Sequence, residues 1–281
     1  MESVHETNLT QAQSWDGAGG EYWAAHAERF DRAVAGYQDR LEEAAAVRRG
    51  DHVLDVGCGG GLTALRAARA SVDGEVLGVD LSRQLLDVAR RRAEAERLRN
   101  VRFVHADAQV HAFEPDRHDV VVSRTGAMFF GDPVAAFANL LGTTRPGGRL
   151  TLLTWQSPDR NEWIGGTLGV LGGAPGPAVD LDAPGMFSLS RPDRVREVLG
   201  SAGWAQVSLD GVEAQEWFGE DVDDALGFLR GLFGWLLDEL APQERDAAVE
   251  RLRESLAAHA GPDGVQFGSA AWLVTARKES P

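Results

Sequence analysis

From Asp51 to Trp155 the chain alternates short apolar runs with segments of helical period, and that rhythm admits few folds. HVLDV, EVLGV, VRFVHA, DVVVSR and GRLTLLTW read as strands. GLTALRAARA, SRQLLDVARRRAEAERL and DPVAAFANLLGTT read as helices. Short apolar strands spaced by helices of that length pair side by side in one direction. The prediction is an α/β fold, a mostly parallel sheet with helices on both faces. A ligand of such a sheet lies beyond the carboxyl ends of its strands.

The flanks are read around that frame. Helical signals run from about Gly20 to Val47, with Trp23, Ala27, Phe30 and Val34 on one face, so residues 1–50 are expected to form a helical arm. Its aromatic residues either pack the arm on the body or close over a ligand, with Trp15, Tyr22 or Trp23 as candidates for the second role and Trp23 carried forward as the cofactor contact. Residues 51–281 are expected to form the main domain. Two stretches interrupt its rhythm, residues 157–190, rich in glycine and proline, and the helical residues 221–260; both are expected to be lids or pocket walls. AQVSLDGV reads as a sixth strand and SAAWLVTAR as the last one.

Composition narrows the partners. Lys and Arg number 28 against 43 for Asp and Glu, a net charge of -15, which opposes both a nucleic-acid backbone and anionic lipid. Cys58 is the sole cysteine, so no intrachain disulfide and no thiolate cluster is expected. The polar start and the lack of a long apolar run give a cytoplasmic protein, monomeric or homodimeric, as the expectation. None of the seven histidines stands in an H-x-x-x-H or H-E-x-x-H pair, and no metal is expected.

The chemistry is concentrated after the first three strands. VLDVGCGGG places four glycines in five positions behind a buried-looking strand, where backbone must turn sharply or approach a ligand closely. A dinucleotide fingerprint would need a third glycine where Leu62 stands. Asp80 ends the second strand, placed to accept two ribose hydroxyls, although it also fits a cap of the following helix. Asp107 follows the third strand, placed to meet an adenine amino group. Together these residues outline a nucleoside-shaped slot.

VLDVGCGGG, VLGVDLS, VHADAQ, DVVVSRTGAMFF and RPGGRLTLLTW, in that order, resemble the class I S-adenosylmethionine-dependent methyltransferases. The small-molecule branch of ubiquinone and menaquinone methyltransferases is the most similar. The resemblance implies a Rossmann-like seven-stranded sheet whose last strand is antiparallel, with S-adenosylmethionine as cofactor and S-adenosylhomocysteine as product. It places Gly57, Gly59 and Gly61 along the cofactor, with Asp55 near the amino-acid end. Asp80 would hold the ribose, Leu81 would pack on adenine, and Asp107 with Ala108 would contact its edge. Ser123 would sit beside the methionyl part, and Arg124 would position a carboxylate of cofactor or acceptor. His259, at the end of the late helical insertion, is the one histidine retained as a candidate base. The expected reaction is methylation of an O, N or C atom of a small, partly apolar metabolite, mainly by proximity and orientation. A nicotinamide oxidoreductase and a non-catalytic nucleoside-binding protein stay open as alternatives.

Overall fold

The computed structural model describes residues 4–172 and 180–280. Four helices come first: α1 (Leu9–Trp15), α2 (Ala18–Ala25), α3 (Ala27–Ala33) and α4 (Ala35–Ala45). The arm therefore starts earlier than Gly20 and is not one helix. It breaks at His26 and Val34 because each piece docks on a different element of the body.

Beyond the arm run β1 (Val53–Val56), α5 (Leu62–Ala70), β2 (Val76–Asp80), α6 (Arg83–Ala95), β3 (Val101–His105) and β4 (His118–Arg124). Then come α7 (Pro133–Thr143) and β5 (Thr144–Trp155). Side chains fix several helix starts. Ser82 Oγ accepts the Leu85 amide at the head of α6, and Asp132 accepts the Ala135 amide ahead of Pro133 in α7. All four residues of β1 are buried, as a strand covered on both faces requires, and each fully buried Val or Leu there contributes about 1.5–3 kcal/mol.

The insertion that follows β5 holds a π-helical turn, Ile164–Gly169, running into α8 (Val170–Gly172). Its return strand of loop is tied to Met128, whose carbonyl accepts the Gly185 amide at 3.2 Å and Ser188 Oγ at 2.5 Å. The remainder of the expected lid, residues 173–179, lies outside the described residues.

The chain closes with α9 (Pro192–Ser201), β6 (Ala205–Gly219), α10 (Val222–Leu232), α11 (Gly234–Asp238), α12 (Pro242–Ala258), β7 (Ala260–Gly261) and β8 (Gly264–Arg277). The sheet order is β3-β2-β1-β4-β5-β8-β6, with β7 added at the end of β8. Strands β1 to β5 are parallel, and β8 is antiparallel to both of its neighbours. Seven strands in the main order, the two-residue β7 beside them and an antiparallel last strand match the expected α/β architecture.

The sixth strand is longer than its sequence suggested. It continues from Val212 to Gly219 because β8 begins at Gly264 and pairs with it to the end, Gly219 facing Val265. Trp155 at the end of β5 faces Ala271, so the β6–β8 ribbon projects past the other strand ends. Trp217 and Phe218 sit on this ribbon. Among the described residues no helix is long and apolar enough to cross a membrane.

Candidate functional site

The strand order reverses between β1 and β4, and the crevice above that point is where an open α/β sheet binds ligands. The loops after these two strands touch. A Cβ on Gly57, at φ +64°, would lie 2.8 Å from the Gly126 Cα, so only glycine allows this approach. Ser123 Oγ fastens the same junction, donating to the Val56 carbonyl at 2.6 Å and accepting the Ala127 amide at 3.0 Å. Gly61 heads α5 and packs on Ala89. Gly59 differs from both. At φ +52° its missing side chain would meet no protein atom within 4 Å, so its open side faces the crevice.

Charge is unusually arranged there. Asp55 is 1% exposed, and among the described residues neither carboxylate oxygen has a hydrogen-bond partner. Burial pushes its carboxyl up to about 7, opposed by the Arg124 guanidinium and reinforced by Asp80, while the Ala64 amide favours ionisation from outside hydrogen-bond geometry. Arg124 Nη2 is paired with Asp31 at 2.5 Å, but its Nη1 is buried without a partner. Asp31 in turn meets Arg92 Nη1 at 2.8 Å, and that same nitrogen donates to the Gly60 carbonyl. A buried carboxyl without hydrogen-bond partners and a guanidinium with one unpartnered nitrogen thus lie beside the glycine loop. Sequence reasoning missed Asp31 and Arg92, which belong to an amphipathic arm helix and to α6 and carry no local signal of this contact.

Asp80 sits at the end of β2 with both oxygens engaged by backbone. Oδ2 accepts the Gly59 amide and Oδ1 the Ser82 amide, each at 2.8 Å. Each oxygen keeps further acceptor capacity. Burial raises its carboxyl above the ordinary range against those two amides. Leu81 is half-buried beside it, its carbonyl held by His105 Nε2 at 2.8 Å.

Asp107 has a different surrounding. It is 2% exposed and accepts from the His5 amide, from Asn8 Nδ2 and from the Gln109 amide, at 2.8–3.0 Å. Asn8 is buried too, and its Oδ1 accepts the Gly131 amide. The carboxylate that the resemblance sets against adenine therefore holds the start of the arm. Ala108, next to it, is buried with its carbonyl on Asn139. Asn8→Ala removes donors from a buried carboxylate and is expected to destabilise this contact by about 1–3 kcal/mol. Limited proteolysis should then cut the arm faster while the body resists; an unchanged cleavage rate would contradict the anchoring role.

The rest of the arm lies across the neighbouring loops. Trp15 meets Phe129 edge-on at 5.3 Å, Asp16 pairs with Arg83 at 2.6 Å, and Tyr22 donates to the Phe228 carbonyl at 2.7 Å. Trp23 stacks on Phe30 and packs toward Leu85 and Val88 of α6. His259 is placed elsewhere. Its ring stacks on Phe267 at 4.0 Å, Nδ1 donates to the Ser255 carbonyl, and Nε2 faces Glu162 at 3.3 Å, all on the outer β8 side. The crevice brings together Asp55, Gly57, Gly59, Asp80, Ser123 and Arg124; His259 is tied to the ribbon instead.

This architecture is the fold of the class I S-adenosylmethionine-dependent methyltransferases. The family described as "Methyltransferase domain" matches residues 53–148. A Ubiquinone biosynthesis O-methyltransferase of Coxiella burnetii is 37% identical over 106 residues, 38% of this chain and 44% of that protein. An uncharacterized protein of Mycobacterium bovis is 36% identical over 115 residues, 41% of each chain. The chain thus spans less than half the length of these curated relatives. Among solved structures, the YcgJ protein of Bacillus subtilis aligns with a TM-score of 0.60 at 19% identity, over 88% of this chain and all of that one. A phosphoethanolamine N-methyltransferase of Haemonchus contortus, solved with S-adenosyl-L-methionine, aligns at 0.58 and 19% identity, over 99% of this chain and 61% of that one. Likeness at that identity speaks for the fold.

Proposed function

We propose that this protein is an enzyme that transfers the methyl group of S-adenosylmethionine to an O, N or C atom of a small, partly apolar metabolite. One observation carries the reading. The buried Asp55 oxygens and the buried Arg124 Nη1 lack partners on the two sides of one glycine loop, which suits the ammonium and carboxylate of an amino-acid end. Gly59 leaves the space between, and Asp80 stands where a ribose would follow. Asp107, Ala108 and Leu81 border the adenine side, with the arm and Trp23 as cover. A nicotinamide cofactor has no such zwitterionic end, and Leu62 breaks its fingerprint.

Bound S-adenosylmethionine supplies the methyl group on a sulfonium, already activated for transfer. The chain's residues would orient it and exclude water, Arg124 holding the carboxylate while Asp31 and Arg92 fix the guanidinium. The Met128 loop and the insertion tied to it would form the acceptor wall. A residual role for His259 as base requires the ribbon to bend toward the crevice. The domain limits, 1–50 for the arm and 51–281 for the transferase domain, belong to the same proposal, as do a cytoplasmic setting and a monomeric or homodimeric state.

Calorimetric titration with S-adenosylmethionine, S-adenosylhomocysteine and NAD tests it. Asp80→Ala should cost about 2–3 kcal/mol of cofactor affinity, roughly 30-fold to 150-fold, in a folded chain. Full affinity in that variant would return Asp80 to tethering the glycine loop and capping α6. Binding of NAD in preference to the sulfonium would overturn the reading.

A further inference from the structure

Glu216 is a carboxylic acid that the fold itself does not explain. It stands on β6 directly opposite Phe267 of β8, so the two side chains share a face. It is 9% exposed, and among the described residues its Oε2 has no hydrogen-bond partner. Burial pushes its carboxyl up to about 8, and among the described residues no cation offsets it. A leucine here would serve packing better.

The surroundings are aromatic and form one buried cluster that extends to the loop after β4. Phe218 meets Phe267 edge-on at 5.4 Å, Trp163 lies 6.4 Å from Phe218, and Trp155 lies 5.9 Å from Trp163. The Trp155 amide rests on Met128 Sδ at 3.4 Å, in the loop that follows Ser123 and Arg124. Tyr37 closes the group from α4, 5.6 Å from Trp155, and the Glu216 charge contributes to raising its hydroxyl.

We propose that Glu216 is the polar anchor of the methyl-acceptor pocket, and that the acceptor it selects is a small apolar molecule carrying an amine. The proposal rests on the methyltransferase reading above. An ammonium group supplies the hydrogen bonds and the opposite charge that Glu216 lacks, and aromatic surroundings favour the same cation. A neutral hydroxyl would supply one hydrogen bond and no charge. The net charge of -15 further favours a cationic ligand over an anionic one.

The probes are phenethylamine and its neutral counterpart 2-phenylethanol, titrated into the full chain with and without S-adenosylhomocysteine. The native chain should bind the amine roughly ten-fold or more tightly than the alcohol. Glu216→Gln should bring the two within about three-fold while leaving S-adenosylhomocysteine affinity unchanged, and Glu216→Leu, run beside it, should do the same. Equal binding of the probes by the native chain, binding of neither, or selectivity that survives in both variants would overturn the anchor. Amine selectivity without S-adenosylhomocysteine binding would keep the anchor and overturn the methyltransferase reading. Cofactor binding without amine selectivity would do the reverse.

Discussion

Gly59→Val is expected to abolish S-adenosylmethionine binding in a chain that still folds. The position has φ +52°, so a branched side chain costs about 1–2 kcal/mol of backbone strain there. The first added carbon meets no collision in the folded body, since among the described residues a Cβ would find no protein atom within 4 Å. The damage therefore falls on whatever occupies the crevice, and a loss of at least about 100-fold in affinity corresponds to the roughly 3 kcal/mol that a displaced ligand end represents. Gly57 and Gly61 make the contrast. Their side chains would strike the Gly126 Cα and the Ala89 Cβ at 2.8 and 2.7 Å, so the same substitution there should unfold the chain. Circular dichroism and calorimetric titration should disagree for Gly59→Val and agree for the other two. A Gly59→Val protein with native affinity would show that the loop does not touch the cofactor.

Between about pH 4.5 and pH 8 the native chain is expected to lose stability relative to a Glu216→Gln variant. The Glu216 carboxyl moves from an ordinary value of 4.5 to about 8 on folding. In that window the folded state holds a proton that the unfolded state has released, so each rise in pH favours unfolding. Below 4.5 both states are protonated and the penalty vanishes; above about 8 it is complete, on the order of 3–5 kcal/mol. Asp55, pushed up to about 7, acts in the same direction and keeps some slope in the variant. Thermal unfolding of both proteins from pH 4 to 9 gives the measurement. Two parallel curves would mean that Glu216 ionises in the folded chain as freely as in the unfolded one.

The parts of this molecule legible in its sequence are those whose cause is local. The β1 run VLDV, the glycines behind it and the acid ending β2 stand next to one another in the chain, and the parallel sheet follows from the period of its segments. The residues that complete the site meet over long separations. Asn8 reaches Asp107 across 99 positions, and Asp31 reaches Arg124 across 93. Nothing near Asn8 distinguishes it from a polar residue of a loose terminus. Glu216 was hidden for another reason. Read from sequence its strand stops at Val212, because SLDGVEAQEW carries polar residues on both faces, and the register with β8 and its burial show that Glu216 turns inward.

The arm also has a consequence in time. Its first turn is pinned at Asp107, its middle at Arg83 and its end along α4, so it lies across the mouths of β2, β3 and β4 like a belt fastened at separate points. Under the cover role proposed for the arm, a molecule held beneath it would leave only after the belt has slackened. Residence would then be governed by how often the Asn8 fastening opens, while affinity is governed by the crevice below. Loosening that fastening should quicken exchange in both directions and leave the equilibrium nearly where it was. For a transferase of the kind proposed, whose product resembles its cofactor, the pace of turnover would be set near Asn8, far in sequence from the crevice.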